Sequence, residues 1–126
     1  MSTESTRQFF QRYMDALQQG DKSPGLISRF VRDEALQDHI AMFEAAFPGY
    51  TLDAEDTIVS GDKAVLRGVF KGTHRGEFQG IAPTGREVSV PLMVIYRIED
   101  NKIVEHWMNA DLLSLMQQLG ATPAPV

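Results

Sequence analysis

No cysteine occurs in the 126 residues. That excludes disulfides, thiolate nucleophiles and cysteine zinc sites. Positive charge is scarce, with 12 basic residues against 17 acidic ones and a formal net charge of −5. An acidic surface repels phosphate backbones and anionic headgroups, so neither a nucleic acid nor a membrane is the expected partner. No apolar run approaches the roughly 18 residues of a membrane span, and Met1-Ser2-Thr3-Glu4 does not open a signal peptide. The expected location is therefore the cytoplasm. Repeats and long linkers are missing as well, so residues 1–126 read as one domain with 121–126 as a frayed tail.

What is present changes period near residue 50. Ser5 with Gln8 three residues on suggests a capping box. Phe9, Phe10, Tyr13, Met14 and Leu17 then recur at helical spacing up to Gly20. Ser23-Pro24 starts a short helix through Leu26, Ile27, Phe30 and Val31. Asp33 can cap a third helix whose stripe is Leu36, Ile40, Phe43 and Phe47, and Pro48-Gly49 stops it. Strands follow over residues 50–59 and 63–73, about a Ser60-Gly61-Asp62 turn. Residues 72–85, with four glycines and a proline, read as a loop. Two more strands cover 86–98 and 102–109, and Asp111 caps a closing helix that Gly120 ends. Helices first and consecutive antiparallel strands after them predict an α+β domain. It is expected to pack its helices on the concave face of a curved antiparallel sheet.

The last two strands specify which side chains face inward. Val88, Val90, Leu92, Val94, Tyr96 and Ile98 alternate with mostly polar residues and define the core face. A three-residue loop Glu99-Asp100-Asn101, with Asn101 left-handed, pairs Ile98 with Lys102, Tyr96 with Val104, Val94 with His106 and Leu92 with Met108. Val104, His106, Met108 and Ala110 then face inward. A two-residue loop would turn Glu105, Trp107 and Asn109 inward instead. The three-residue loop is favoured because it places no carboxylate in the core. It leaves Trp107, Met93 and Ile95 on the outer face, an apolar patch suited to a homodimer.

His106 is then the leading acid/base candidate, a titratable ring on an apolar face. Tyr96, diagonally opposite, can direct its hydroxyl to a ligand or to His106. Asp111 is a candidate catalytic carboxylate that also stands where a helix cap is required. His39 flanks the stripe of the third helix and can line a pocket. His74, between glycines, can brace its loop or touch a ligand. Sequence does not orient Tyr13 or Arg67. The three histidines lack metal-ligand spacing, so no metal is expected. The glycine loop lacks the lysine of a phosphate-binding loop, and no serine stands in a nucleophile elbow.

The run Gly72-Thr73-His74-Arg75-Gly76-Glu77-Phe78-Gln79-Gly80-Ile81-Ala82-Pro83-Thr84-Gly85 resembles a segment of the SnoaL-like polyketide cyclase family. Lys102-Ile103-Val104-Glu105-His106-Trp107 and Gln118-Leu119-Gly120 resemble further segments, and Phe47-Pro48 and Asp62 fit the same pattern. The resemblance implies the nuclear-transport-factor-like cone, often dimeric, with one deep pocket. Its members bind or transform small hydrophobic molecules without metal or cofactor. It also implies a departure. The position two residues after the histidine, where those cyclases carry an acid/base aspartate, is Met108. The positions that supply a histidine and a glutamine to that site are Val94 and Leu92. Three readings remain: a cofactor-free cyclase, isomerase, lyase or hydrolase, a non-catalytic carrier of an apolar ligand, and a purely structural dimer partner.

Overall fold

The computed structural model describes residues 2–19 and 22–121. Gly20, expected to end the first helix, and residues 122–126 of the expected tail lie outside them. The elements are α1 (Thr3–Gln19), α2 (Pro24–Ser28), α3 (Glu34–Ala46), β1 (Thr51–Ser60), β2 (Lys63–Thr73), β3 (Glu87–Glu99), β4 (Lys102–Ala110) and α4 (Leu112–Gln118). The strands form one antiparallel sheet in the order β1-β2-β3-β4.

Each later helix starts on a side-chain cap that the sequence announces. Ser23, Asp33 and Asp111 accept from the backbone N–H groups of Leu26, Leu36 and Ser114. The first helix differs from expectation. Its cap is Ser2, whose Oγ accepts from Ser5 N at 3.1 Å, so Ser5 lies inside the first turn and no Ser5–Gln8 box forms. Helix α1 buries Phe9, Phe10, Tyr13, Met14 and Leu17 at the expected spacing.

Strand β3 alternates as its sequence requires, with all six even residues from Val88 to Ile98 buried. A one-residue slip would expose all six, which costs on the order of 10 kcal/mol. The β3–β4 turn corrects the expected register. Glu99 pairs with Lys102, so the loop is the two residues Asp100 and Asn101, both at positive φ (52° and 56°). This is the backbone of a tight hairpin turn whose twist matches that of the strands. The facing is restored one step later. Ile98 pairs with Ile103 and Arg97 with Glu105, so Val104 is a bulged extra residue. Tyr96 then stands opposite His106, Val94 opposite Met108 and Leu92 opposite Ala110. His106, Met108 and Ala110 face the helices as expected, but by a different route, and the buried residue near the turn is Ile103 rather than Val104.

Loop 74–86 is pinned to the end of α3. Gly76 N and Arg75 N both donate to Ala46 O. A Cβ on Gly76 would run into the Ala45 carbonyl oxygen, so only glycine fits there. On the outer face Ile58, Val65, Ile95 and Trp107 form one cross-strand row over all four strands, with Ile58 and Trp107 59% and 46% exposed. Met93, 54% exposed, lies beside it.

Candidate functional site

Between the helices and the inner sheet face lies a cavity of about 60 Å³. Strands β3 and β4 contribute Leu92, Val94, Tyr96, Met108 and Ala110, α3 contributes Leu36, His39 and Phe43, and α4 closes it with Leu112 and Leu115. Tyr13 of α1 and Tyr50, just before β1, line it as well. An apolar cavity of about 150 Å³ accepts benzene. Entry of a single ring here therefore requires lining side chains to move. Leu112, 51% exposed, and the flexible Met108 are the ones with room to do so.

Of the side chains expected at the site, Tyr96, Met108, Val94, Leu92 and His39 line this cavity. His106 stands just outside it, across the β3–β4 ladder from Tyr96. Its ring centroid is 6.1 Å from that of His39. His106 Nδ1 lies 2.7 Å from Asp33 Oδ2, with the two side chains 10% and 13% exposed. The carboxylate accepts, so Nδ1 carries a proton and Nε2 is the nitrogen left for chemistry. Among the described residues no hydrogen bond reaches Nε2. Asp33 is thus a hydrogen-bond partner of His106 that the sequence did not disclose. Its capping role is visible locally, but its second oxygen acts 73 residues further along the chain. Burial acts to raise the Asp33 carboxyl. The hydrogen bonds from His106, Leu36 N–H and Ala35 N–H, with attraction to His106, outweigh it and hold the group below its usual range.

His39 is tuned the opposite way. Burial lowers it, the neighbouring His106 lowers it further, and the Asp33 charge opposes only in part. Its Nδ1 is sealed off without a partner, so it meets a ligand only through Nε2. The His39 ring stands edge-on to Phe43 at 5.8 Å, which fixes its plane.

Two expected site residues lie elsewhere. Asp111 does not reach the cavity. It is exposed, and its Oδ1 accepts from Ser114 N at 2.9 Å as the cap of α4. His74 is fully buried in its own loop. Its Nδ1 accepts from Thr84 N at 3.1 Å and lies 3.0 Å from Thr84 Oγ1. Its ring packs on Phe47 rather than on the cavity. Arg67 is on the outer face, paired with Glu55 at 3.3 Å. Among the described residues no three His, Asp or Glu side chains are placed to hold a metal ion, and no helix is long and apolar enough to cross a membrane.

An open antiparallel sheet folded around helices, with an apolar cavity between them, defines the class of nuclear-transport-factor-like cone proteins. Within that class the chain belongs to the SnoaL-like polyketide cyclase family, whose sequence pattern matches residues 8–119. It is similar to TsrD from Streptomyces laurentii, with 29% identity, coverage of 97% of this chain and 99% of that one, and a TM-score of 0.80. It is also similar to AclR from Streptomyces galilaeus, provisionally described as a hydroxylase, with 28% identity, coverage of 97% and 89%, and a TM-score of 0.80. A SnoaL-like polyketide cyclase from Agrobacterium tumefaciens shares the fold at 23% identity, coverage of 95% and 100%, and a TM-score of 0.74. No curated protein matches the sequence.

Proposed function

We propose that this chain takes up a small, mainly apolar molecule in the cavity and moves a proton on it, as a cyclase-, isomerase-, lyase- or hydrolase-type catalyst. The Asp33–His106 hydrogen bond beside the cavity-lining His39 supports this reading. His39 is neutral at pH 7 and offers Nε2 at the cavity wall, where it can accept a proton from bound substrate. The proton taken up on His39 Nε2 can be handed back from there to a second position of the substrate, and His106, its ring fixed by Asp33, offers a second bare Nε2 that can accept a proton beside it. Neither role needs a carboxylate at Met108. The test is to identify by native mass spectrometry the small molecule carried by the purified protein and to follow its conversion. Replacing His39 or His106 by Gln should slow turnover about 100-fold or more. Undiminished turnover by either variant refutes the assignment.

Carriage without chemistry is the second reading. Met108, Leu92 and Val94 favour it, because they present only carbon and sulfur to the cavity. Recovery of the carried molecule unchanged after long incubation with the wild-type protein would decide for it. A homodimer through the outer row of Ile58, Val65, Ile95 and Trp107, with Met93, belongs to either reading, since that exposed apolar face is contiguous across the sheet.

A further inference from the structure

Lys102 and Ile103 open the strand that carries His106, and the chemistry above makes no use of them. Both are bonded to the linker that carries Asp33. Residues 28–33 run from the end of α2 to the cap of α3 along the side of β4 away from β3, with Val31 beside Ile103 in parallel pairing. Four consecutive carbonyl oxygens of this linker accept from other elements. Lys102 Nζ donates to Ser28 O at 3.0 Å and to Arg29 O at 2.8 Å. Ile103 N donates to Phe30 O at 2.8 Å. Gln37 Nε2, from the second turn of α3, donates to Val31 O at 2.7 Å. In return Arg32 N and Asp33 N share Ile103 O, at 2.8 and 3.1 Å. Val31 and Ile103 are 1% and 0% exposed, so water does not compete for the middle of this seam.

The order of these bonds along the chain matters. The backbone bonds all involve one residue of β4, Ile103, and leave the linker free to pivot about it. Lys102 on one side and Gln37 on the other remove the pivot. A lysine suits the first place. Its ammonium has three donors and no acceptor, so it can hold two carbonyls at once, and carbonyls at the end of a helical turn favour a cation. Asp33 follows within two residues of Val31, and its Oδ2 lies 2.7 Å from His106 Nδ1. Drift of the linker by about 1 Å would take that pair beyond hydrogen-bond distance.

We infer that Lys102 is a positioning residue for the Asp33–His106 pair: by holding the carbonyls of Ser28 and Arg29 it fixes the linker on the strand that carries His106, and so keeps the Asp33 carboxylate on Nδ1 and Nε2 bare. Its part in catalysis rests on the proposed role of that pair. Its part in geometry does not. Lys102 touches neither the cavity nor the imidazole, and it acts only through the backbone that ends in Asp33.

The test reads the His106 ring directly. Nitrogen chemical shifts of the isotope-labelled protein, followed over a series of pH values, report which ring nitrogen holds the proton in the neutral form. The wild type should show Nδ1 protonated alone. Lys102→Met, which keeps the stem and loses the donors, should give an averaged mixture of the two neutral forms, and turnover of the substrate identified as above should fall about 10- to 100-fold. Lys102→Arg keeps a cation with several donors and should restore the wild-type ring signature. A lysine with a merely structural role would lower the thermal midpoint on replacement without moving the ring proton. Gln37→Leu frees only the Val31 carbonyl and should shift the ring in the same direction, which decides the matter alone if Lys102→Met does not fold. A ring that stays protonated on Nδ1 alone in the folded variants overturns the positioning role and leaves the catalytic reading of the pair untouched. A ring that loses its single form while turnover is unchanged upholds the positioning role and refutes the catalytic reading.

Discussion

Asp33 divides its carboxylate between two elements. Oδ1 accepts from Leu36 N at 3.2 Å and starts α3, while Oδ2 lies 2.7 Å from His106 Nδ1 on β4. One side chain thereby ties the start of the helix that carries His39 to the strand that carries the second histidine. The backbone does the same nearby, since Arg32 N and Asp33 N both donate to Ile103 O.

The double role separates in Asp33→Asn. Asparagine caps a helix nearly as well as aspartate, so the thermal midpoint should fall by no more than the equivalent of about 1–2 kcal/mol. Turnover of an identified substrate should fall much further, because the amide removes the charge that holds the imidazole in one tautomer. A midpoint loss above about 4 kcal/mol, or unchanged turnover, contradicts this division of labour.

Stability should decline in mild acid through His39. Its folded-state affinity for a proton is below that of the unfolded chain, so unfolding takes up a proton once the pH falls below the ordinary value of 6.5. Asp33 acts lower. Its stabilising contribution is complete above the ordinary carboxylate value of 3.8 and is lost as pH drops through the depressed folded value. His39→Phe should therefore flatten the decline of thermal midpoint between about pH 7 and pH 5. Parallel wild-type and variant curves over that interval would show that His39 is not the group responsible.

The hairpin turn can be improved. Asn101 adopts φ 56° after Asp100 at φ 52°, and Asp-Gly is a preferred pair for such a turn. Asn101→Gly should stabilise by about 0.5 kcal/mol, read as a higher urea midpoint at constant slope. A three-residue loop has its left-handed residue at Asn101 alone, so Asp100→Gly distinguishes the two. It should be close to neutral here, and destabilising by about 0.5–1 kcal/mol if Asp100 were instead right-handed.

Trp107 pairs with Ile95 on the outer face and is 46% exposed. In the proposed homodimer that face is covered. Sedimentation should give twice the chain mass for the wild type and the single-chain mass for Trp107→Glu, with folding retained. A wild-type protein that sediments as a monomer at micromolar concentration refutes the dimer.

Amino-acid order alone determined the helices and the alternation of β3. These follow from short-range rules: periods of 3.6 and 2, caps, and turn residues. It also placed Tyr96 and His39 as candidates, because both flank apolar stripes. Tertiary structure decided the rest. The bulge at Val104 depends on pairing energies along a whole ladder, and no local residue preference announces it. Asp111 and His74 were ambiguous in sequence, and their hydrogen bonds to Ser114 and Thr84 resolved them. The Asp33–His106 bond and the cavity lined by Tyr13, Tyr50 and Tyr96 join residues far apart in the chain. Only closure of the sheet over the helices brings such groups within reach, because hydrogen bonds act over about 3 Å whatever the sequence separation.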